Sequence, residues 1–514
     1  MRPNPTLESS GTFQAAKPHV NTLIVLLICY AAATSAWEAT RRPLWFDEIF
    51  TAQLARLPTM ADTMSALNLA TDTSGPVYYW VVRSTAGRFE SIELALRFPS
   101  VIAATVALVA IYLFARRDLG PVAGSVAVII MLLSRLYHGY SVEARPYALM
   151  VMFICVGALA WQRADDRRWR LVLVASAALA VGTHYYAVFA GVPFVMAEAA
   201  YSLRRRTVRT TVWLALSTGA VALFAVRHPL RALLNYYGPN YWSKPSIGKA
   251  MATYDWALAV GPPGAGFGVA LVLGLGLLLL LLRHLTNDRP IAKPLPFPET
   301  LVFILSLLAL PFVVAVVAFV MEGGFAERYS LGMLAGLGLS VAYAVRALDA
   351  RKQGLVAMGL AVVFGAHELV FWKSGGEVTG PHSRSRLEAK LALIDQASEF
   401  GLPIVVENGH DFVPMSYYRP KGSRPELVFL TDPQAAREYI GTDSMDLDLI
   451  ALKRYVDWSI VPFETFRRRD KDFLLLSYFE PNTWWSTRLV NERYRLEVVG
   501  RSPSHALYRV RAPE

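Results

Sequence analysis

Asp47 and Glu48 stand side by side in LWFDEIF, residues 44–50, among Trp45, Phe46, Ile49 and Phe50. Adjacent carboxylates suit proton abstraction from a hydroxyl, because each can raise the pKa of the other. Further candidate ionisable groups collect in five places. Asp72 precedes the apolar PVYYWVV run at 76–82. HGYSVEARPYALM, residues 138–150, holds Tyr140, Glu143, Arg145 and Tyr147. GTHYYAVF holds His184, Tyr185 and Tyr186, and FAERYSLGM holds Glu327, Arg328 and Tyr329. A guanidinium matches phosphate oxygens bidentately, so Arg145 and Arg328 are candidate phosphate holders. Arg231, Tyr236, Tyr237, Tyr241, Trp242 and Lys244, within residues 227–262, mix bases and aromatics as sugar stacking and phosphate contact require.

Each group also has a plainer reading. The acid pair could be solvated on an interfacial helix. Glu143 and Arg145 could pair and lock two spans. Tyr185 and Tyr186 read best as interfacial anchors, His184 as a cavity residue or helix-end cap, and Arg328 as a cavity residue or a snorkelling side chain. The aromatic and basic loop fits an ordinary interfacial loop almost as well. What favours chemistry is that all of these groups fall on one side of the membrane, as the elements around them show.

The chain has 514 residues, 54% hydrophobic and 18% charged. Its mean hydropathy is +0.35. Uncharged runs such as 269–282 and 302–320 are of the kind a bilayer span requires. A multi-pass α-helical membrane protein is expected, with about eleven spans near 20–38, 96–115, 120–136, 147–161, 170–184, 186–202, 210–226, 265–282, 299–320, 329–346 and 354–372. The net charge of +11 then reflects basic cytoplasmic loops and an anionic lipid, not nucleic acid. Clusters at Arg116–Arg117, Arg163–Arg170, Arg204–Arg206, Arg283/Arg289/Lys293 and Arg346–Lys352 occupy every second loop, which makes those loops cytoplasmic. Residues 1–19 become a cytoplasmic tail, and Asp47, Asp72, Glu143, Arg145, His184, Arg231 and Arg328 all fall at the extracytoplasmic ends. Cys29 and Cys155 lie in apolar runs and read as packing residues without a disulfide.

Residues 39–95 form the first outer loop. Within it, 44–54 reads as an amphipathic helix lying in the interface, greasy face down and Asp47 up. Residues 76–82 are too short to span and read as an interfacial or re-entrant helix. Beyond residue 375 the composition turns polar and mixed. Strands are expected at 403–407, 426–430, 473–479, 494–501 and 506–510, with helices at 384–400, 433–440 and 445–455. This predicts an α/β domain over 376–514, extracytoplasmic because the span count is odd. Asp446/Asp448 and Asp470/Asp472 have Asp-x-Asp spacing but read as exposed acidic pairs of this tail. The sequence has no Walker A loop, GxSxG elbow, HExxH or CxxC.

The ordered set Asp47-Glu48, Pro76-Val-Tyr-Tyr, Ala95-Leu-Arg97-Phe-Pro-Ser100, Tyr140-Ser-Val-Glu143-Ala-Arg145-Pro-Tyr147 and Arg328-Tyr329 resembles the GT-C glycosyltransferases that use polyprenyl-phosphate sugars. Protein O-mannosyltransferase-like enzymes and lipid A aminoarabinose transferase are examples. The resemblance covers about residues 20–375. It implies a transferase in a bacterial cytoplasmic membrane with an outer-face site, an acid of the first loop as base, and inversion at the sugar. Polyprenyl-phosphate sugar would be the donor and an envelope glycan, lipid or protein the acceptor. No cofactor is required; a divalent metal at the carboxylates is allowed. The sequence departs from relatives at Asp72-Thr-Ser-Gly75, where many carry His-Pro-Pro and some a phosphate-binding lysine, so phosphate binding must come from Arg145, Arg328, the 227–249 loop or elsewhere. The rival readings are a lipid-linked saccharide flippase and a non-catalytic scaffold. The outer-end charges and lack of an internal repeat speak against a flippase.

Overall fold

The structure is a computed structural model and describes residues 11–286, 298–373, 383–478, 484–502 and 504–513. Residues 1–10, Arg289 and Lys293 of the expected cytoplasmic segments, and the last residue of the expected 473–479 strand lie outside it.

Each expected span is occupied by helix. The helices are α1 (Gly11–Arg41), α2 (Phe46–Ala55), α3 (Met60–Leu67), α4 (Pro76–Thr85), α5 (Ile92–Leu119), α6 (Pro121–Leu132), α7 (Arg135–Ser141), α8 (Tyr147–Gln162), α9 (Arg167–Thr183), α10 (Val192–Arg205), α11 (Thr210–Ala225) and α12 (Arg227–Tyr237). Then come α13 (Ile247–Leu258), α14 (Ala265–Thr286), α15 (Pro298–Leu308), α16 (Leu310–Val320), α17 (Met333–Arg346) and α18 (Ala350–Lys373). Among the described residues, five helical segments are long and apolar enough to cross a bilayer alone, one of them Tyr185–Arg205, or up to eight if each bent pair is one span. The bends lie between α6 and α7 (72°), α11 and α12 (57°) and α15 and α16 (57°). Pro311 near the start of α16 accounts for the last, since its ring cannot continue the preceding ladder. Ser91 caps α5, accepting from the Leu94 amide at 3.2 Å, and Gly120 at φ +89° ends it.

The first outer loop is helical, as α2, α3 and α4. Yet α2 does not lie with its greasy face in lipid. Phe46, Ile49, Phe50, Thr51, Ala52, Leu54 and Ala55 are all buried. Phe46, Ile49, Phe50 and Leu54 share one apolar cluster with Phe412, Val413 and Met415 of the C-terminal domain. The stripe read from the sequence is real, but protein covers it. Tyr78 and Tyr79 of α4 are likewise fully buried, while Trp80 points outward. Residues 227–262 are largely the helices α12 and α13.

The C-terminal domain contains α19 (Arg384–Gln396), β1 (Ile404–Val406), α20 (Gly409–Tyr418), β2 (Leu427–Thr431), α21 (Pro433–Ile440), α22 (Ser444–Leu452), β3 (Ser459–Pro462), α23 (Phe463–Arg469), β4 (Asp472–Tyr478), α24 (Trp485–Asn491), β5 (Arg495–Arg501) and β6 (His505–Arg511). The sheet order is β3-β2-β1-β4-β6-β5. The first four are parallel; β6 runs antiparallel to β4 and β5. β1, β2 and the centre of β4 are buried on both faces, as parallel strands under helices must be. All five expected strands are present. β3, α20, α23 and α24 were not anticipated; β3 is four residues long and ends in proline, too short to show alternation.

Cys29 and Cys155 are both free; Cys155 is buried, whereas Cys29 is exposed on α1 and packs no core.

Candidate active site

The acid pair of α2 divides. Glu48 is fully buried and turns away from any cavity. Arg97 of α5 grips it, Nε to Oε1 at 2.7 Å and Nη2 to Oε2 at 2.5 Å. The Ala144 amide donates to Oε1 at 2.7 Å and the Trp45 amide to Oε2 at 3.2 Å. Arg97 spends its remaining N–H groups on the carbonyls of Ala39, Arg42 and Pro43. The expected second acid of the site is therefore a tie between α1, α2, α5 and the α7–α8 turn. With every lone pair direction engaged, it has nothing left for an acceptor.

Asp47, one residue earlier, opens into a small polar chamber. The chamber holds about 50 Å³ and is lined by Asp47, Asp72, Thr73, Arg145, Tyr237, Tyr241, Trp242, Arg328 and Asp448, among others. Arg145 organises its floor. Its Nη1 donates to Asp72 Oδ1 at 3.0 Å and to the Asp47 carbonyl at 3.3 Å, and Nη2 to Thr73 Oγ1 at 3.3 Å. Its Nε stands 3.8 Å from Asp47 Oδ2, too long for a hydrogen bond. Asp72 also accepts from Tyr79 OH at 2.5 Å. Asp72 thus aligns Arg145 and is not free for proton transfer.

Arg328 lies across the chamber beside the Trp242, Tyr329 and Tyr147 rings, 5.4–5.8 Å from their centroids. Both Arg145 Nε and Arg328 Nε are buried without a hydrogen-bond partner. Among the described residues Arg328 makes no ion pair with a carboxylate. A buried, unpartnered guanidinium N–H is costly, and two of them lie around this one cavity.

A second chamber, about 250 Å³ and mostly apolar, adjoins the first. Thr73, Tyr237 and Tyr241 line both. Leu230, Leu233, Leu234, Met321, Tyr185, Tyr186 and Tyr329 supply the walls. Tyr186 stacks on Tyr329, centroids 4.3 Å apart, and donates to the Gly324 carbonyl at 2.5 Å. The two tyrosines expected as belt anchors are instead chamber walls, because the chain after α9 turns inward. His184 marks that turn. It bridges to Ser74, its Nδ1 accepts from the Tyr186 amide at 3.3 Å, and its Nε2 is buried without a partner. Gly75 fits here for want of a side chain: a Cβ would lie 2.2 Å from the Gly182 carbonyl oxygen. The departure Asp72-Thr-Ser-Gly75 is thus a close backbone crossing, held by Gly75 N to Thr183 O at 2.8 Å.

The remaining expected residues divide likewise. Tyr147 packs on His184 and Tyr140, and Tyr140 OH donates to Glu327 at 2.8 Å; both support the chamber from behind. Tyr329 shares a hydrogen bond with Tyr241 OH at 2.9 Å. Glu143 does not pair with Arg145. One of its oxygens is buried with no partner, and burial, then the charge on Glu48, pushes its pKa up to about 8. Arg231 and Lys244 are exposed and line neither chamber. Arg231 extends from the open side of α12, and Lys244 from the short segment between Trp242 and α13. The residue that sequence reasoning missed is Asp448. Far from being a solvated tail acid, it lines the polar chamber and accepts a hydrogen bond from Tyr237. Its partner in the Asp-x-Asp pair, Asp446, is buried and accepts from the Asp432 amide at 2.8 Å. The available signal was an acid set among leucines in MDLDLIAL. Among the described residues, no three His, Cys, Asp or Glu side chains come together as a metal site would require.

Residues 73–228 match the family model described as dolichyl-phosphate-mannose-protein mannosyltransferase. No curated protein matches the sequence. Among solved structures, ArnT from Cupriavidus metallidurans bound to undecaprenyl phosphate is similar over 95% of this chain and 98% of that one, at 14% identity and a TM-score of 0.55. Its apo state covers 96% and 98%, at 13% identity and a TM-score of 0.45. An oligosaccharyltransferase of Archaeoglobus fulgidus tethered to an acceptor peptide covers 95% and 74%, at 10% identity and a TM-score of 0.46. The chain shares the fold of a multi-pass GT-C membrane protein along nearly its whole length, and the family model matches one stretch of it, residues 73–228.

Two predictions follow from the buried carboxylates. Glu48→Gln leaves the Arg97 guanidinium without its counter-charge and should cost about 3–5 kcal/mol, read as a lowered thermal midpoint in detergent; an unchanged midpoint would contradict this role. Glu143 behaves oppositely. Its raised pKa means the folded state holds a proton that the unfolded state has released, so wild-type stability falls as pH rises from the ordinary carboxylate range to about 8. Glu143→Gln removes that fall. The variant should gain on the wild type across this window and hold a constant advantage above it, measured as midpoints over a pH series.

Proposed function

We propose that the protein is an integral-membrane glycosyltransferase that moves a sugar from a polyprenyl-phosphate donor to an extracytoplasmic acceptor hydroxyl, with Asp47 as general base. The observation that carries this reading is the junction of the two chambers. An apolar chamber meets a polar one at Thr73, Tyr237 and Tyr241, and the polar one presents two guanidinium groups with unpartnered N–H and the Asp47 carboxylate, which neither of them hydrogen-bonds. A prenyl chain suits the first. A phosphodiester suits Arg145 and Arg328. The sugar beyond it reaches Asp47.

The chemistry balances with these groups alone. Asp47 takes the proton of the acceptor hydroxyl as its oxygen bonds to the anomeric carbon. The bond from that carbon to the phosphate oxygen breaks, and the phosphate leaves with the electron pair. Polyprenyl phosphate is already a good leaving group, so a general acid is dispensable; what helps is cationic donors fixed where charge grows. Asp47 is suited to its role because its side chain is one-fifth exposed while Glu48 and Asp72 are tied to arginines. Attack from the side opposite the phosphate inverts the anomeric centre. With the basic loops cytoplasmic, this chamber and the C-terminal domain face outward.

The test uses full-length protein in nanodiscs with a panel of polyprenyl-phosphate sugars and an envelope-glycan extract. Asp47→Asn should lower polyprenyl-phosphate release about 10²–10⁴-fold, the usual worth of a general base, while undecaprenyl phosphate still binds. Equal release by wild type and variant would remove Asp47 from the chemistry.

A further inference from the structure

We propose that Asp448, carried on α22 of the C-terminal domain, binds a hydroxyl of the reacting saccharide, so that this domain supplies part of the active site. The proposal rests on the transferase reading above. Asp448 lines the polar chamber with Asp47, Arg145 and Arg328. It accepts from the phenol of Tyr237, one of the three residues shared by the two chambers. It therefore belongs to the polar chamber that also holds Asp47, where the transferred sugar is placed above.

Its placement does not depend on the Tyr237 bond. Thr442 Oγ1 donates to the Asn240 carbonyl at 2.7 Å, the Trp242 amide to Ser444 Oγ at 3.1 Å, and Tyr236 OH to the Leu447 carbonyl at 2.9 Å. These bonds fasten the start of α22 over the α12–α13 connection, residue by residue up to Asp448. A neutral amide oxygen can also accept from Tyr237. A carboxyl there, with no Lys, Arg or His in ion-pair distance among the described residues, has hydrogen-bonding capacity to spare, as an acceptor when ionised and also as a donor when protonated. Its natural partners are hydroxyls. Burial, helped by the charges of Asp47 and Asp72 and opposed by the Tyr237 bond and Arg145, pushes its pKa up to about 7. Such a cost in a chamber wall is kept when a ligand repays it by hydrogen bonding.

The hydroxyl belongs either to the donor sugar or to the acceptor, and kinetics separates the two. Wild type and Asp448→Asn, both full length in nanodiscs, are compared for undecaprenyl phosphate binding, thermal midpoint and polyprenyl-phosphate release, varying the polyprenyl-phosphate sugar and the envelope-glycan extract in turn. Asp448→Asn should bind undecaprenyl phosphate and melt as the wild type does, yet lose about tenfold or more in kcat/KM. A raised KM for the lipid sugar assigns the contact to the donor; a raised KM for the extract assigns it to the acceptor. Unchanged kinetics in both series would overturn the proposal, as would parallel loss of binding, midpoint and turnover, which marks a structural acid. Asp448→Ala, which leaves the Thr442, Ser444 and Leu447 bonds of α22 in place, gives the same reading if the amide variant does not fold. If the wild type itself releases no polyprenyl phosphate, the transferase reading falls and this proposal with it; wild-type release with an indifferent Asp448→Asn overturns this proposal alone.

Discussion

The site depends on one buried ion pair. Glu48 and Arg97 are both without solvent exposure, and through the Ala144 amide and the carbonyls of Ala39, Arg42 and Pro43 they join the end of α1, the start of α2, α5 and the α7–α8 turn. Asp47 precedes Glu48, and Arg145 follows Ala144. The pair thus sets the separation of the carboxylate and the guanidinium that face the chamber. A pair like this is poor value as stability, since desolvation offsets most of its attraction. Its worth is geometric: planar, bidentate, and saturated by backbone, it permits one arrangement of four segments.

Around that fixed point the remaining polar groups fall into two sets. Asp72, Thr73, Tyr79 and Glu48 are satisfied and immobilise others. Asp47, Arg145 Nε, Arg328 and Asp448 keep bonding capacity facing the chamber. The mostly apolar chamber beside them is walled in part by aromatic rings packed on each other. The C-terminal domain is part of the same arrangement. It covers α2 with Phe412 and its neighbours, and its α22 is bonded to the α12–α13 connection. Asp47 is accordingly held between membrane helices and a soluble sheet domain instead of on an interfacial helix floating in lipid.

Much of this was legible in the sequence because membrane constraints are severe. A span must be long, apolar and helical, so helices occupy the segments that hydropathy marked, although by length and composition at most eight spans, not eleven, are met among the described residues. Charges that survive near a bilayer need a reason, so Asp47, Arg145 and Arg328 stood out, and they do share one chamber. Pairing was not legible. Nothing in DE says that one carboxylate faces a cavity and the next an arginine 49 residues away, since neighbours on a helix point about 100° apart and the partner comes from tertiary packing. Arg231 and Lys244 were overvalued because a basic residue on an outer loop resembles a phosphate ligand whichever way it points. Asp448 was undervalued because a polar domain makes an acid look ordinary, and only the docking of α22 brings it to the chamber. Tyr185 and Tyr186 misled for the same reason: belt and pocket tyrosines have the same local sequence.

The most direct measurement is a structure of the protein with undecaprenyl phosphate. The phosphate should lie between Arg145 and Arg328, each guanidinium within hydrogen-bond distance, with the prenyl chain leaving past Tyr237 and Tyr241 along the apolar chamber and Asp47 open to the side the sugar would occupy. A phosphate seated elsewhere, or both guanidinium groups unengaged in a lipid-bound structure, would contradict the assignment of this chamber as the reaction site.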